Sequence, residues 1–198
     1  MGHDWDERYA ASEQVWSGRV NGALASEVAD MAPGRVLDVG CGEGADAIWL
    51  AQRGWDVTAI DISTVAVDRA RRAAEAAGVT IEWVCADVTT TPPAPAAYDL
   101  VTLQYPALPR SDAVIDGLLG AVAPGGTLLI TWHVLTDEHV AHLCERGIDP
   151  AEYVHVHDVV ARLGDGWEIE VNEIRPRVDP PENAKHVEDI VLRTRRIR

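Results

Sequence analysis

A chain of 198 residues, 47% hydrophobic and 25% charged, is long enough to bury a substantial core and has the balance of an ordinary globular protein. Its formal net charge of -15, with Lys185 the only lysine, repels phosphate backbones and argues against a nucleic-acid partner. No apolar run approaches the roughly 20 residues of a membrane span, and the three cysteines, without a C-x-x-C pair, speak against a disulfide framework or zinc ribbon.

Taken in chain order, the polar start Met1-Gly2-His3-Asp4 carries no targeting pattern, so a soluble, cytoplasmic protein is expected. Trp5 to Ala11 and Val20 to Met31 read as two helices. Arg35-Val36-Leu37-Asp38-Val39 is a short apolar run ending at glycines, as in a buried parallel strand, and Ala45 to Gln52 follows as a helix. Asp56 to Ile60 is the second strand. Ser63 can cap a helix over Thr64 to Ala77, which Gly78 ends. Thr80 to Cys85 and Tyr98 to Leu103 are the third and fourth strands, joined by a Pro/Thr/Ala loop.

Ser111 to Val122 is the next helix, and Pro124-Gly125-Gly126 turns the chain into a fifth strand, Thr127 to Trp132. The alternation predicts a parallel sheet with helices on both faces. A His-rich, partly helical segment spans His133 to His157. Trp167 to Ile174 alternates apolar and acidic residues, as a half-exposed strand does, and His186 to Arg195 is another. Between them lies a loop with Pro176, Pro180 and Pro181. With no helix between them, these two strands must pair antiparallel. We expect one domain over 1–198, with 1–32 as amino-terminal helices and 33–198 as an α/β core.

The first strand runs into Asp38-Val39-Gly40-Cys41-Gly42-Glu43-Gly44. Glycine at alternate positions clears β-carbons from a tight turn, so backbone can approach a ligand beside the following helix. Asp61, at the end of the second strand, can accept from both hydroxyls of a ribose. Asp87, after the third, can hold an exocyclic amino group, with Val88 offering a backbone amide and Ile62 an apolar face. Asp38 can face a cationic amine, where a pyrophosphate would be repelled. Three acids around a glycine turn suit a nucleoside that carries positive charge and no phosphate.

Val36 to Gly44 resembles motif I of the class I S-adenosylmethionine-dependent methyltransferases. Asp61, Asp87, Tyr98-Asp99-Leu100-Val101 and Leu118 to Ile130 fall where that family's later motifs fall. Trp5-Asp6-Glu7-Arg8-Tyr9, Trp16-Ser17-Gly18 and Asn21 are similar to the bacterial branch of tellurite-resistance and thiopurine methyltransferases. The resemblance implies a Rossmann-like, seven-stranded, mostly parallel sheet with an antiparallel last strand, S-adenosyl-L-methionine as cofactor and a small-molecule methyl acceptor. It puts Gly40, Cys41, Gly42 and Gly44 along the methionine moiety with Asp38, Asp61 on the ribose, and Ile62, Asp87 and Val88 around the adenine. Leu103 and Gln104 would line the methyl-transfer face, and Trp5, Tyr9 and Trp16 would form a lid.

Several residues keep a second reading. Asp87 can simply begin a turn, and Trp5 and Tyr9, four apart on one helical face, can be core rather than lid. Cys41 is explained by its small size alone. His133, at the carboxyl edge of the fifth strand, can be a general base for an acceptor or an exposed edge histidine. His139, His142, Cys144, His155 and His157 fit no zinc spacing and read as solvated residues, so no metal is expected. An NAD-dependent oxidoreductase is the rival class, but its G-x-G-x-x-G would need glycine where Ala45 stands. A noncatalytic module that binds the same cofactor is the other rival.

Overall fold

A computed structural model describes residues 2–178, 180 and 186–198. Two short helices, α1 (Gly2–Ala10) and α2 (Gly22–Glu27), precede the sheet. Then come β1 (Arg35–Val39), α3 (Ala45–Ala51), β2 (Asp56–Asp61), α4 (Thr64–Ala77), β3 (Glu82–Cys85) and β4 (Tyr98–Gln104). The chain continues through α5 (Asp112–Ala121), β5 (Val122–His133), α6 (Asp137–Glu145), a 3-10 turn (Pro150–Glu152) and α7 (Val156–Arg162). It ends in β6 (Trp167–Pro176) and β7 (Glu188–Arg196).

The seven strands form one sheet in the order β3-β2-β1-β4-β5-β7-β6. Pairings from β3 to β5 are parallel, and β7 lies antiparallel between β5 and β6. This is the Rossmann-like arrangement expected, with the order reversing between β1 and β4, where such sheets place their ligands at the carboxyl edge. Each face carries its own core. Leu37, Val39, Val101, Leu103, Leu128 and Ile130 meet α5 and α7, whereas Val36, Val57, Ala59, Leu100, Leu129 and Val191 meet α2 and α3.

Some element ends and one burial pattern differ from expectation, for local reasons. The helix predicted over 20–31 is confined to Gly22–Glu27, because Asn21 is tied down by Asp46 at one end and the chain turns over Val28–Met31 before Pro33 at the other. Thr80 and Ile81 precede the ladder, whose first pair is Thr58 with Glu82. β5 starts early, at Val122 opposite Tyr98, then shifts register across the Pro124-Gly125-Gly126 turn before Thr127 meets Leu100. At Gly126 a β-carbon would lie 3.0 Å from the carbonyls of Ala123, Tyr98 and Asp99, so only glycine lets the strand close up. β6 is more exposed than half, being an edge strand. Its Glu168 and Glu170 pair with Arg193 and Arg195 of β7, which gives this edge a charged surface. Pro181 lies outside the described residues.

Candidate functional site

β1 delivers the chain into the glycine turn at the carboxyl edge. The amides of Gly40 and Cys41 donate to the Ile60 carbonyl (2.8 and 3.1 Å), which ties the turn to β2. Gly40 and Gly42 have φ of 71° and 53°, the left-handed region that glycine enters without strain. A β-carbon on Gly40 would meet nothing within 4 Å, so its exposed backbone leaves room for a ligand. Cys41 packs into the α2/α3-side core, and burial followed by Asp38 and Asp61 pushes its thiol up, so it is no nucleophile.

Around this turn stand three buried carboxylates. Asp61 accepts from the Gly42 amide (2.8 Å) and the Ser63 amide (2.9 Å), one on each oxygen. It therefore shapes the turn, and each oxygen keeps a lone pair for a ribose hydroxyl. Asp46, at the start of α3, receives both Asn21 donors, the amide at 2.7 Å and Nδ2 at 2.6 Å. Asp38 is 2% exposed, and its Oδ2 is buried with no hydrogen-bond partner. Burial, then the Asp46 and Asp61 charges, hold its carboxyl well above the usual range, and burial raises the other two as well. A cationic ligand amine would supply the missing charge and the missing donor together. The donor set thus fits a methionine ammonium and rejects a pyrophosphate.

The amino-terminal segment lies across the same turn. Tyr9 is buried, and its hydroxyl accepts from Trp16 Nε1 (2.8 Å) directly over Gly42, where a β-carbon would stand 2.9 Å from it. Trp16 remains 45% exposed, and Trp5 stacks obliquely on Tyr9 at 6.2 Å with the Arg8 guanidinium beside it. Tyr9 is thus core and cover at once. Asp6 accepts from Ser63 Oγ and the Val65 amide, locking α1 onto the start of α4. Ser63 itself caps α4 as predicted, accepting from Ala66.

On the adenine side, Ile62 and Val88 are half-buried, and Val88 packs against the core. Asp87 does begin a turn: its Oδ1 accepts from Thr89 and its carbonyl from Thr90 and Thr91. Leu103 is buried among the α5-side core residues, on the face opposite Gln104.

Gln104 belongs to a polar row that crosses the sheet on one face. Asp38 stands opposite Thr102, Gln104 opposite Thr131, and His133 opposite Asp189, and directly opposed residues share a face. Four atoms along its outer part are buried without partners: Gln104 Oε1, Thr131 Oγ1, His133 Nδ1 and Asp189 Oδ1. His133 is stacked with Tyr105 (3.9 Å) and His186 (4.2 Å), so it is not a free edge histidine.

Sequence reasoning missed Glu43, Asp46, Arg69, Tyr105 and Asp189 as parts of this edge. Only Asp189 left a legible signal, an acid sharing strand parity with the buried Val191. Among the described residues, no cluster of His, Cys, Asp or Glu is arranged to hold a metal ion. A cavity of about 570 Å³ lies at the opposite, amino edge between α2 and β7, lined by Asp30, Asp99 and Gly126 among others. Its arginines are already paired, Arg193 with Glu27 and Glu170, and Arg195 with Glu168 and Glu170. It lies at the edge away from the glycine turn, and its arginines are taken up by these ion pairs.

A Rossmann-like sheet with an antiparallel β7 carries an acid-lined glycine turn at its carboxyl edge. Residues 36–126 match the family model described as a methyltransferase domain. It is 38% identical over 117 residues to the tRNA 5-carboxymethoxyuridine methyltransferase of Escherichia coli K12, covering 54% of this chain and 43% of that protein. A solved structure described by the conversion of a disulfide bond into a thioacetal group during echinomycin biosynthesis matches 99% of this chain and 92% of its own. The TM-score is 0.76 and the identity 27%. Magnesium protoporphyrin IX methyltransferase from Synechocystis, solved with S-adenosylhomocysteine, matches 87% of this chain and 79% of its own at TM-score 0.64 and 24% identity. The chain spans less than two thirds of the length of the curated relatives it matches. Among the described residues, no helix is long and apolar enough to cross a membrane.

Proposed function

We propose that this chain transfers the methyl group of S-adenosyl-L-methionine to a small-molecule acceptor in the cytoplasm, as one unit over residues 1–198 of the branch similar to tellurite-resistance and thiopurine methyltransferases. One observation carries the reading: a buried, partnerless Asp38 oxygen stands beside an open glycine backbone, inside a ring of carboxylates. The cofactor supplies an electrophilic methyl group on a sulfonium. The protein's residues bind and orient. Asp38 holds the ammonium, whose positive charge relieves the repulsion from Asp46, and the backbone of Gly40, Cys41, Gly42 and Gly44 lies along the methionine. Asp61 takes the ribose, and Ile62, Asp87 and Val88 surround the adenine. Tyr9, Trp16 and Trp5 cover the turn and keep water out, which strengthens every charge contact beneath them.

The acceptor reading rests on two supports. A net charge of -15 opposes a polyanion. The likeness to the tRNA enzyme reaches 54% of the chain in sequence, whereas the structural likeness to the echinomycin-pathway protein runs over 99% of it. NAD binding is disfavoured because Asp38 and Asp61 flank the place a pyrophosphate would need. The test is release of label from methyl-labelled cofactor across a panel of small thiols, phenols and amines, with total tRNA as the opposing arm. Transfer to a small acceptor supports the proposal. Transfer to tRNA alone would overturn the acceptor class.

A further inference from the structure

The outer end of the polar row holds a second device, whose role in catalysis rests on the reading above. Asp189 is 1% exposed on β7, directly across from His133 on β5. Its Oδ2 accepts from the Tyr105 hydroxyl at 2.9 Å, and its Oδ1 faces His133 Nδ1 at 3.4 Å. Oδ1 and Nδ1 are both buried and have no hydrogen-bond partner elsewhere, so they face each other as an acceptor and a nitrogen that can carry a proton. Two rings, Tyr105 and His186, lie nearly parallel to the His133 imidazole at 3.9 and 4.2 Å. Two rings cannot share one side at those distances, so both faces of the imidazole are covered. With one edge turned to Asp189, the edge that carries Nε2 is left for a ligand.

The backbone supports this device at a cost. Tyr105 has φ of 55°, a left-handed conformation that a tyrosine adopts only when its surroundings impose it. Its amide donates to the Thr131 carbonyl (2.8 Å) and its hydroxyl to Asp189, so the strained residue is fixed at both ends. Other groups face the stack as well. His139 of α6 lies 4.2 Å from His186, and the Arg177 guanidinium sits 5.0 Å from the Tyr105 ring. Burial, then His133 and His139, lower His186 to about 4, so the ring stacked on His133 stays neutral near pH 7 and adds no second cation.

We propose that His133 is the catalytic base for an acceptor bearing an acidic O–H or S–H, with Asp189 and Tyr105 as its positioning residues. The proton leaves the acceptor's oxygen or sulfur for Nε2 of His133, the electron pair stays on that heteroatom as the nucleophile, and the imidazolium later returns the proton to water. Asp189 holds the proton on Nδ1, which keeps the Nε2 lone pair exposed, and Tyr105 holds Asp189.

The test is the tautomer of His133, read by 15N NMR on the cofactor-free full chain near neutral pH, in wild type and in Asp189→Asn, Tyr105→Phe and Asp189→Glu. Wild type is expected to carry its proton on Nδ1, Asp189→Asn to lose that preference, Tyr105→Phe to weaken it, and Asp189→Glu to recover part of it. A wild-type His133 protonated on Nε2, or a preference unmoved by Asp189→Asn and Tyr105→Phe together, overturns the proposal. Should Asp189→Asn fail to fold, Tyr105→Phe and Asp189→Glu decide it. Calorimetry with S-adenosylhomocysteine on the same samples separates the two readings: no binding to wild type defeats the methyltransferase reading whatever the tautomer. With the acceptor found in the panel above, His133→Gln is expected to lose on the order of 100-fold in kcat with cofactor affinity unchanged. Full activity in that variant also overturns the proposal.

Discussion

Glu43 of the glycine turn and Arg69 of α4 stand 2.9 Å apart, and together they grip four backbone groups of the amino-terminal segment. Glu43 accepts from the amides of Val15 and Trp16, while Arg69 donates to the carbonyls of Tyr9 and Ser12. The amino-terminal segment is therefore pinned to the glycine turn through its main chain, whatever side chains it presents. Glu43→Ala is expected to release it, leaving Arg69 without its ion-pair partner. Hydrogen exchange over residues 9–16 should rise, and affinity for S-adenosylhomocysteine should fall by about 1–2 kcal/mol, as lost charge-assisted bonds imply. Unchanged exchange there would detach Glu43 from the lid.

Asp38 should trade stability for function. Asparagine keeps an oxygen that can accept the Ala47 backbone bond while removing a buried charge that Asp46 and Asp61 oppose. Asp38→Asn is expected to raise the apo melting temperature and weaken cofactor binding roughly tenfold or more, about 1.4 kcal/mol or above. A variant less stable than wild type, with unaltered binding, would contradict the assignment of Asp38 to the ligand ammonium.

Gly40 and Gly42 of the turn should respond differently to alanine. Both adopt left-handed φ, which costs an L side chain roughly 1–2 kcal/mol. Gly40→Ala meets only open space in the free protein and should cost about that much, yet block the ligand. Gly42→Ala also drives a methyl to 2.9 Å from the Tyr9 hydroxyl, so it should unseat Tyr9 as well. Thermal denaturation with and without S-adenosylhomocysteine distinguishes the two, Gly42→Ala showing the larger apo loss.

His186 gives a pH signature. Its folded pKa of about 4 lies below the ordinary 6.5, so the unfolded chain takes up the proton first. Folding stability is therefore lost as pH falls from 6.5 towards 4 and the loss levels off below that. Against His186→Gln, wild type should lose ground on acidification over that window in urea denaturation. Parallel pH profiles for the two proteins would show that His186 is not held neutral.

The glycine turn and its flanking elements were legible in the sequence because they are local. Strand, glycine turn and helix are contiguous in 35–52, and Asp61 closes the next strand. The edge around His133 was not legible beyond that one residue, because its parts come from four places in the chain. Tyr105, Asp189 and His186 meet only through the β5–β7 register, which an insertion of β7 between β5 and β6 creates. Strand parity sends Leu103 to the α5 side and Gln104 to the other, and parity needs a fixed register before it can assign a face. Glu43 sits inside the motif, yet its carboxylate serves the lid, a contact between residues 27 and 28 apart that no spacing rule announces.

Calorimetric titration of the wild-type chain with S-adenosylhomocysteine and, separately, with NAD asks most directly what the carboxylate-ringed turn was built to hold. Saturable one-to-one binding of S-adenosylhomocysteine, weakened by Asp61→Ala by about 1–3 kcal/mol and matched by no NAD signal, is the expected result. Binding of NAD with no heat from S-adenosylhomocysteine would contradict it.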